Sequence, residues 1–176
     1  MDASSHPEPG GGFALRVTRA APPDGEPLER FFSRNRDTSS SETFDPFELT
    51  AKRARAIASA ASKDLFYLAR LEGDAVVALS MLRGFDDGYA IPSFGILVDH
   101  EHQRRGIGRQ LTVWTLDAAR ARGCTAVRLS VYASNDRAIA LYRSLGFVER
   151  SRVIVTRHGA RDQKLVMMRE WEDGAE

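Results

Sequence analysis

The sequence predicts a mixed α/β domain. Three observations predict it. Apolar runs short enough for strands alternate with longer segments of helical periodicity. Two of those helical segments stop at a glycine, Gly123 and Gly146, suited to a left-handed cap. Turn clusters such as Glu72-Gly73-Asp74 and Asp86-Asp87-Gly88 separate the extended runs. The order strand, helix, strand, helix, strand in the second half is the α/β pattern. At 176 residues the chain is one domain by size and buries a core without a metal or disulfide staple. Hydrophobic residues make up 43% and charged residues 28%, which excludes wholesale disorder.

The elements follow in order. Residues 1–12 hold two prolines, three consecutive glycines and no apolar stretch, and read as a disordered tail rather than a secretory signal. Phe13 to Thr18 alternates as an edge strand. Leu28 to Asn35 reads as a short helix after Pro23-Asp24-Gly25, and Arg36 to Glu42 as a polar loop. Pro46 suits a helix start, and Glu48 to Ser62 is rich in helix formers. Leu65–Leu71 and Ala75–Leu82 form a hairpin. Tyr89–Val98 is the next strand, in which Pro92 removes one ladder donor and implies a bulge or an edge. Arg105–Arg122 is a helix with Ile107, Leu111, Trp114 and Ala118 along one face. Ala126–Val131 is an apolar strand. Arg137–Leu145 is a helix with the stripe Ala138, Leu141, Tyr142 and Leu145. Phe147–Thr156 and Lys164–Arg169 close the fold as a hairpin around His158-Gly159.

Charge and cysteine content narrow the function. With 25 basic and 24 acidic side chains the net charge is +1, which gives no general attraction to nucleic acid or anionic membrane. Only Lys52, Lys63 and Lys164 of the basic residues are lysines. One cysteine, Cys124, allows neither an intramolecular disulfide nor a thiolate metal cage, and it reads as a small buried residue. His100 and His102 have no further ligands at metal spacing, so no metal is expected. No apolar run reaches the roughly 20 residues that span a bilayer, and the expected location is cytoplasmic.

The most informative stretch runs from Val98 to Arg109. It leaves a strand, passes Gln103-Arg104-Arg105-Gly106-Ile107-Gly108, and opens a helix. Two glycines one residue apart let backbone approach a ligand closely. The first amides of a helix lack partners and sit at the positive end of its dipole, so a pyrophosphate fits there. Arg104, Arg105 and Arg109 add positive charge. A P-loop would need a Gly-Lys-Ser/Thr ending, which is absent. A dinucleotide fingerprint would need Gly or Ala where Leu111 stands. A plain strand-to-helix turn remains the bland alternative.

A second motif follows at a matching distance. Gln103 to Gly108 resembles the acetyl-CoA motif of the GNAT acetyltransferases. The stretch from Leu129 through Asn135, Ala138 and Tyr142 to Gly146-Phe147 resembles their second motif, in which a strand ends at Asn and a helix carries Ala and Tyr to a terminal Gly-Phe. The resemblance is strong over residues 65–168 and thin before them. It implies a GNAT-type N-acetyltransferase domain over residues 13–171, with a mixed, mostly antiparallel sheet and helices on both faces. It implies acetyl-CoA as cosubstrate, with the pyrophosphate on the turn formed by Gln103, Arg104, Arg105, Gly106, Ile107, Gly108 and Arg109. The pantetheine arm would pair like an extra strand with Ile96, Leu97 and Val98. Asn135 would help hold that arm, and Tyr142 would be the general acid. His100, where relatives often have Pro, and Ala78, where they often have Gly, depart from the pattern.

Transfer of an acetyl group to an amine requires a neutral nitrogen. An alkyl amine with a pKa near 10.4 is neutral in about one molecule in 10³ at pH 7, a handicap of roughly 4 kcal/mol. A base or water chain must offset it. The departing thiolate needs a proton, which Tyr142 can supply. The sequence leaves the base open: Asp86, Asp87, Asp99, His100 and Glu101 are nearby in the chain, and each also reads as a turn or loop residue. Relatives that acetylate ribosomal-protein N-termini often carry Glu where Ser130 stands. The block Met81 to Gly95 resembles a branch associated with amino sugars and small metabolites. The expected acceptor is therefore a small-molecule amine, used by a monomer or homodimer. A protein or peptide acetyltransferase and a non-catalytic acetyl-CoA-binding module are the alternatives.

Overall fold

A computed structural model of the protein describes residues 14–59 and 61–171. The expected tail and Phe13 lie outside the described residues. Seven strands form one sheet in the order β1-β2-β3-β4-β5-β7-β6. They are β1 (Arg16–Arg19), β2 (Leu65–Arg70), β3 (Val76–Arg83), β4 (Ser93–Val98), β5 (Ala126–Tyr132), β6 (Val148–Arg157) and β7 (Ala160–Glu170). The helices are α1 (Gly25–Asn35), α2 (Ser39–Glu42), α3 (Ala51–Ala58), α4 (Ile107–Ala121) and α5 (Asp136–Ser144). Every neighbouring pair of strands is antiparallel except β4 and β5.

The strands β2 and β3 are buried on both sides, and their alternating side chains feed two separate cores. Phe66, Leu68, Leu79 and Met81 pack with Leu28, Phe31 and Phe32 of α1 and with Ala54 and Ile57 of α3. Leu65, Tyr67, Ala69 and Leu82 point the other way, to Ile107, Leu111, Leu116 and Ala119 of α4 and to Ile139 and Tyr142 of α5. Helices therefore cover both faces. Full burial of each Leu or Phe side chain contributes about 1.5–3 kcal/mol.

Several boundaries differ from the sequence reading for local reasons. The segment 36–42 is not all loop: Thr38 is extended and its amide bonds the Ser41 hydroxyl (3.3 Å), which starts the short helix α2. The helix expected from Glu48 begins at Ala51, because the Thr50 side chain accepts from the Arg53 amide (3.2 Å) and caps it there. It ends at Ala58 rather than Ser62. Pro46 lies in the preceding loop. Strand β4 starts after Pro92, which produces no bulge. The Pro92 carbonyl accepts from the Arg128 amide (3.1 Å) at the junction with β5. The irregular registers lie instead between β2 and β3, opposite Ala69/Arg70, and between β6 and β7, at Glu149/Ser151. The buried face of α4 includes Thr112 and Thr115, whose hydroxyls bond the carbonyls of Gly108 and Leu111 one turn back.

One feature of the sheet positions the site. Strand β4 pairs with β3 along all six residues, from Ser93 to Val98. On its other side only Ser93 is in register with β5, opposite Arg128. Beyond that point β4 and β5 diverge, and the backbone of residues 94–98 presents a free edge.

Candidate active site

A cleft of about 640 Å³ opens where β4 and β5 part. Its floor is the free edge of β4, including Ile96, Leu97 and Val98. One end is the turn into α4. Arg104 and Gly106 both hold positive φ there, 62° and 79°, and Gly106 is the residue before the first helical position. Positive φ at a non-glycine residue costs about 1 kcal/mol or more. The first bond of α4 in this turn runs from the Gln110 amide to the Gly106 carbonyl (3.1 Å). The amides of Ile107, Gly108 and Arg109 precede it and have no acceptor within the helix. A Cβ at Gly106 would meet nothing within 4 Å, so this turn is open on its outer side.

Ten of the residues singled out by the sequence as cofactor-binding line this cleft: Ile96, Leu97, Val98, Gln103, Arg104, Gly106, Ile107, Gly108, Arg109 and Asn135. Arg105 does not. It lines a second cavity with Arg34, Glu72 and Glu101, so its side chain belongs to the other side of the turn. The Arg109 guanidinium donates to the Ser144 hydroxyl (2.8 Å), which ties the start of α4 to the end of α5.

Asn135 and Tyr142 enter from α5. The Asn135 side chain accepts from the Ala138 amide (3.1 Å), and its own amide donates to the Tyr132 carbonyl (2.9 Å). It is thus the cap that turns β5 into α5. Tyr142 lies about two turns further on, packed edge-on against Phe94 and Phe147, and it lines the cleft. Burial pushes its phenol up to about 12, so it holds its proton throughout the physiological range.

The carboxylates that the sequence offered as a base are elsewhere. Asp99 is fully buried. Burial alone would raise its pKa, but Arg34, the Glu101 amide and Asn35 together hold it below the usual carboxylate range. Asp86 accepts from the Ser62 hydroxyl and the Lys63 amide (2.8 Å), and these hold it low as well. Both are structural. Glu101 is exposed and borders the second cavity. Asp87 and His100 are not among the residues lining the cleft.

Sequence reasoning missed Asp45. It sits in the loop between α2 and α3 and lines the cleft. Its Oδ2 accepts from the Tyr132 hydroxyl (3.1 Å) and pairs with Lys164 of β7. Desolvation holds the Lys164 amine below its usual pKa. The dipeptide Asp45-Pro46 signals a turn, but nothing local shows that the turn folds over β4. The Pro46 ring of this loop packs over Gly95, where a Cβ would meet it in ordinary contact at 3.5 Å and would lie 3.2 Å from the Met81 side chain of β3. Arg83 donates to the Pro46 carbonyl (2.9 Å) and holds the same loop. Among the described residues no group of three or more His, Cys, Asp or Glu is placed to hold a metal ion, and no helix is long and apolar enough to cross a membrane.

This architecture has known counterparts. The family model for the acetyltransferase (GNAT) family matches residues 29–147, and the chain belongs to that family. The [ribosomal protein bS18]-alanine N-acetyltransferase of Salmonella typhimurium is 52% identical over 56 residues, 32% of this chain and 38% of the relative. A mycothiol acetyltransferase from Beutenbergia cavernae is 40% identical over 83 residues, 47% of this chain and 28% of the relative. The matches thus span well under half the length of these curated relatives. A GCN5-related N-acetyltransferase from Kribbella flavida superposes with a TM-score of 0.74 at 25% identity, covering 89% of this chain and 98% of that one.

Proposed function

We propose that the protein transfers an acetyl group from acetyl-CoA to the primary amine of a small molecule, directly and within a ternary complex, with residues 13–171 as the transferase domain. One observation carries this reading. A single cleft joins an anion-accepting turn, an unpaired strand edge, a capping Asn and a protonated buried Tyr.

The pyrophosphate takes the unpaired amides at the start of α4, with Arg104 and Arg109 adding charge and Arg105 contributing backbone only. The pantetheine arm hydrogen-bonds the free edge of Ile96 to Val98 as a strand would. This lays the thioester towards Asn135 and Tyr142. The neutral amine nitrogen attacks the acetyl carbon, the C–S bond breaks, the thiolate takes the Tyr142 proton, and the proton then shed by the nitrogen returns through water to the phenolate. A phenol near 12 is a weak acid towards a free thiol of pKa about 8.5, but a thiolate leaving into the same buried site is also raised by desolvation. The transfer therefore coincides with C–S cleavage rather than preceding it.

The small-molecule reading is supported by the loop 43–46, which Tyr132, Lys164 and Arg83 fasten across the end of the cleft. A polypeptide N-terminus is the second reading, favoured by the name of the Salmonella relative. Free-CoA release over a panel of tyramine, ethanolamine, glucosamine and an alanine-starting peptide separates them. Release with a small amine is the expected result. Release with the peptide alone selects the second reading, and no amine-dependent release overturns both.

A further inference from the structure

We infer that Asp45 is the anchor for the acceptor's ammonium group, through its Oδ1, and that it selects cationic amines; this rests on the proposed transferase reading. The cleft carries four arginines, Arg83, Arg104, Arg109 and Arg137. Their charge suits the phosphates of a cofactor and repels an incoming ammonium. Among the described residues that line the cleft, Asp45 is the sole carboxylate. A cationic acceptor has no other anion to meet there.

The two oxygens of Asp45 are not equivalent. Oδ2 receives both the Tyr132 hydroxyl and the Lys164 ammonium. Oδ1 has no hydrogen bond to a described residue, and the side chain is 46% exposed. Tyr132 is itself fixed at the end of β5, with Lys164 and Arg157 over its ring at 4.5 and 4.6 Å. The carboxylate is therefore held in orientation at one oxygen, which leaves Oδ1 to accept from a ligand in the cleft that Asp45 lines. Such pre-organisation lowers the ordering cost of binding. Asp45 is an anchor rather than the final proton sink. An anion beside the ammonium favours its charged form, so the proton that the nitrogen sheds before attack leaves to bulk solvent rather than staying on Asp45.

The same geometry contains its own control. If the Asp45–Lys164 pair served only to close the loop, removing either partner would have the same effect. If Asp45 anchors the ammonium, removing Lys164 removes a competing cation and leaves the anchor. Calorimetric titration of tyramine into the protein saturated with CoA reads this directly, with 4-ethylphenol as the uncharged counterpart. Asp45→Asn should weaken tyramine at least tenfold while leaving CoA affinity within threefold. Lys164→Met should leave tyramine binding unchanged or tighter, and 4-ethylphenol should not distinguish the variants. Parallel weakening by Asp45→Asn and Lys164→Met would overturn the assignment, as would unchanged tyramine affinity in Asp45→Asn or the absence of saturable tyramine binding to the wild type. Saturable, Asp45-dependent binding with no CoA release from acetyl-CoA would support the anchor and count against the transferase reading instead.

Discussion

Tyr142 is the residue on which the proposed chemistry turns. Tyr142→Phe keeps the ring against Phe94 and Phe147 and removes only the hydroxyl. Turnover should fall by about 10² to 10⁴, the usual contribution of a general acid, with acetyl-CoA affinity within a few-fold of wild type. Because burial raises this phenol to about 12, its loss should not appear as a basic limb in the pH–rate profile below about pH 11. A pre-steady-state rate equal to wild type would make Tyr142 a core residue. The cap that Asn135 provides can be separated from its proposed role in holding the cofactor arm. Its cap on the Ala138 amide is worth about 1 kcal/mol, which Asn135→Ala should lose in a thermal melt. A matching rise in the Michaelis constant for acetyl-CoA is expected from the second role, and a melt shift alone would leave only the cap. Both residues were legible in the sequence because each lies within a contiguous motif. Asp45 was not, because it is held at the cleft by tertiary contacts with Tyr132 and Lys164, 87 and 119 positions away.

At the scale of elements, the turn between β4 and α4 carries the proposed phosphate binding. Gly106→Val would force a β-branched side chain into a left-handed backbone and over the open face of the turn. Acetyl-CoA binding should weaken at least tenfold, about 1.4 kcal/mol, by calorimetry. Unchanged affinity in a folded variant would remove the phosphate from this turn. The turn is braced from below. Asp99, just after β4, accepts from Arg34 and Asn35 of α1 and from the Glu101 amide (3.0 Å). Asp99→Ala would leave Arg34 and Asn35 without that partner and should cost about 3 kcal/mol in urea unfolding. The pH dependence follows from its lowered pKa. The folded state binds this proton less readily than the unfolded chain, so the stabilisation is full above about pH 4, the unfolded value. It is lost as pH falls through the lower folded value. The stability gap between wild type and Asp99→Asn should therefore narrow below about pH 4. The sequence showed Asp99 as a turn residue but not its partners, since Arg34 and Asn35 lie in a helix 65 and 64 positions away.

At the scale of the molecule, the order of elements and the turns at Gly73, Gly123 and Gly146 were readable because each depends on local chemistry and all three glycines adopt positive φ. What periodicity did not give was how the strands are shared. The near-continuous apolar runs of β2 and β3 suit burial on both sides, but nothing local says which helices cover them: α1 and α3 lie over one face and α4 and α5 over the other. The stripe on α4 packs as its periodicity indicates, with Trp114 and Ala118 partly buried against the core, and Thr112 and Thr115 join the buried face through bonds to their own helix carbonyls. The parting of β4 and β5 left no mark in the sequence beyond Pro92, and that parting creates the cleft. The central claim is that this cleft moves acetyl groups from acetyl-CoA to an amine. Mass-spectrometric measurement of N-acetylated amine and free CoA in one reaction, for wild type and Gly106→Val at limiting acetyl-CoA, tests it most directly. Equimolar products from the wild type and at least a tenfold loss in the variant are expected. Free CoA without acetylated amine, or equal rates for the two proteins, would contradict it.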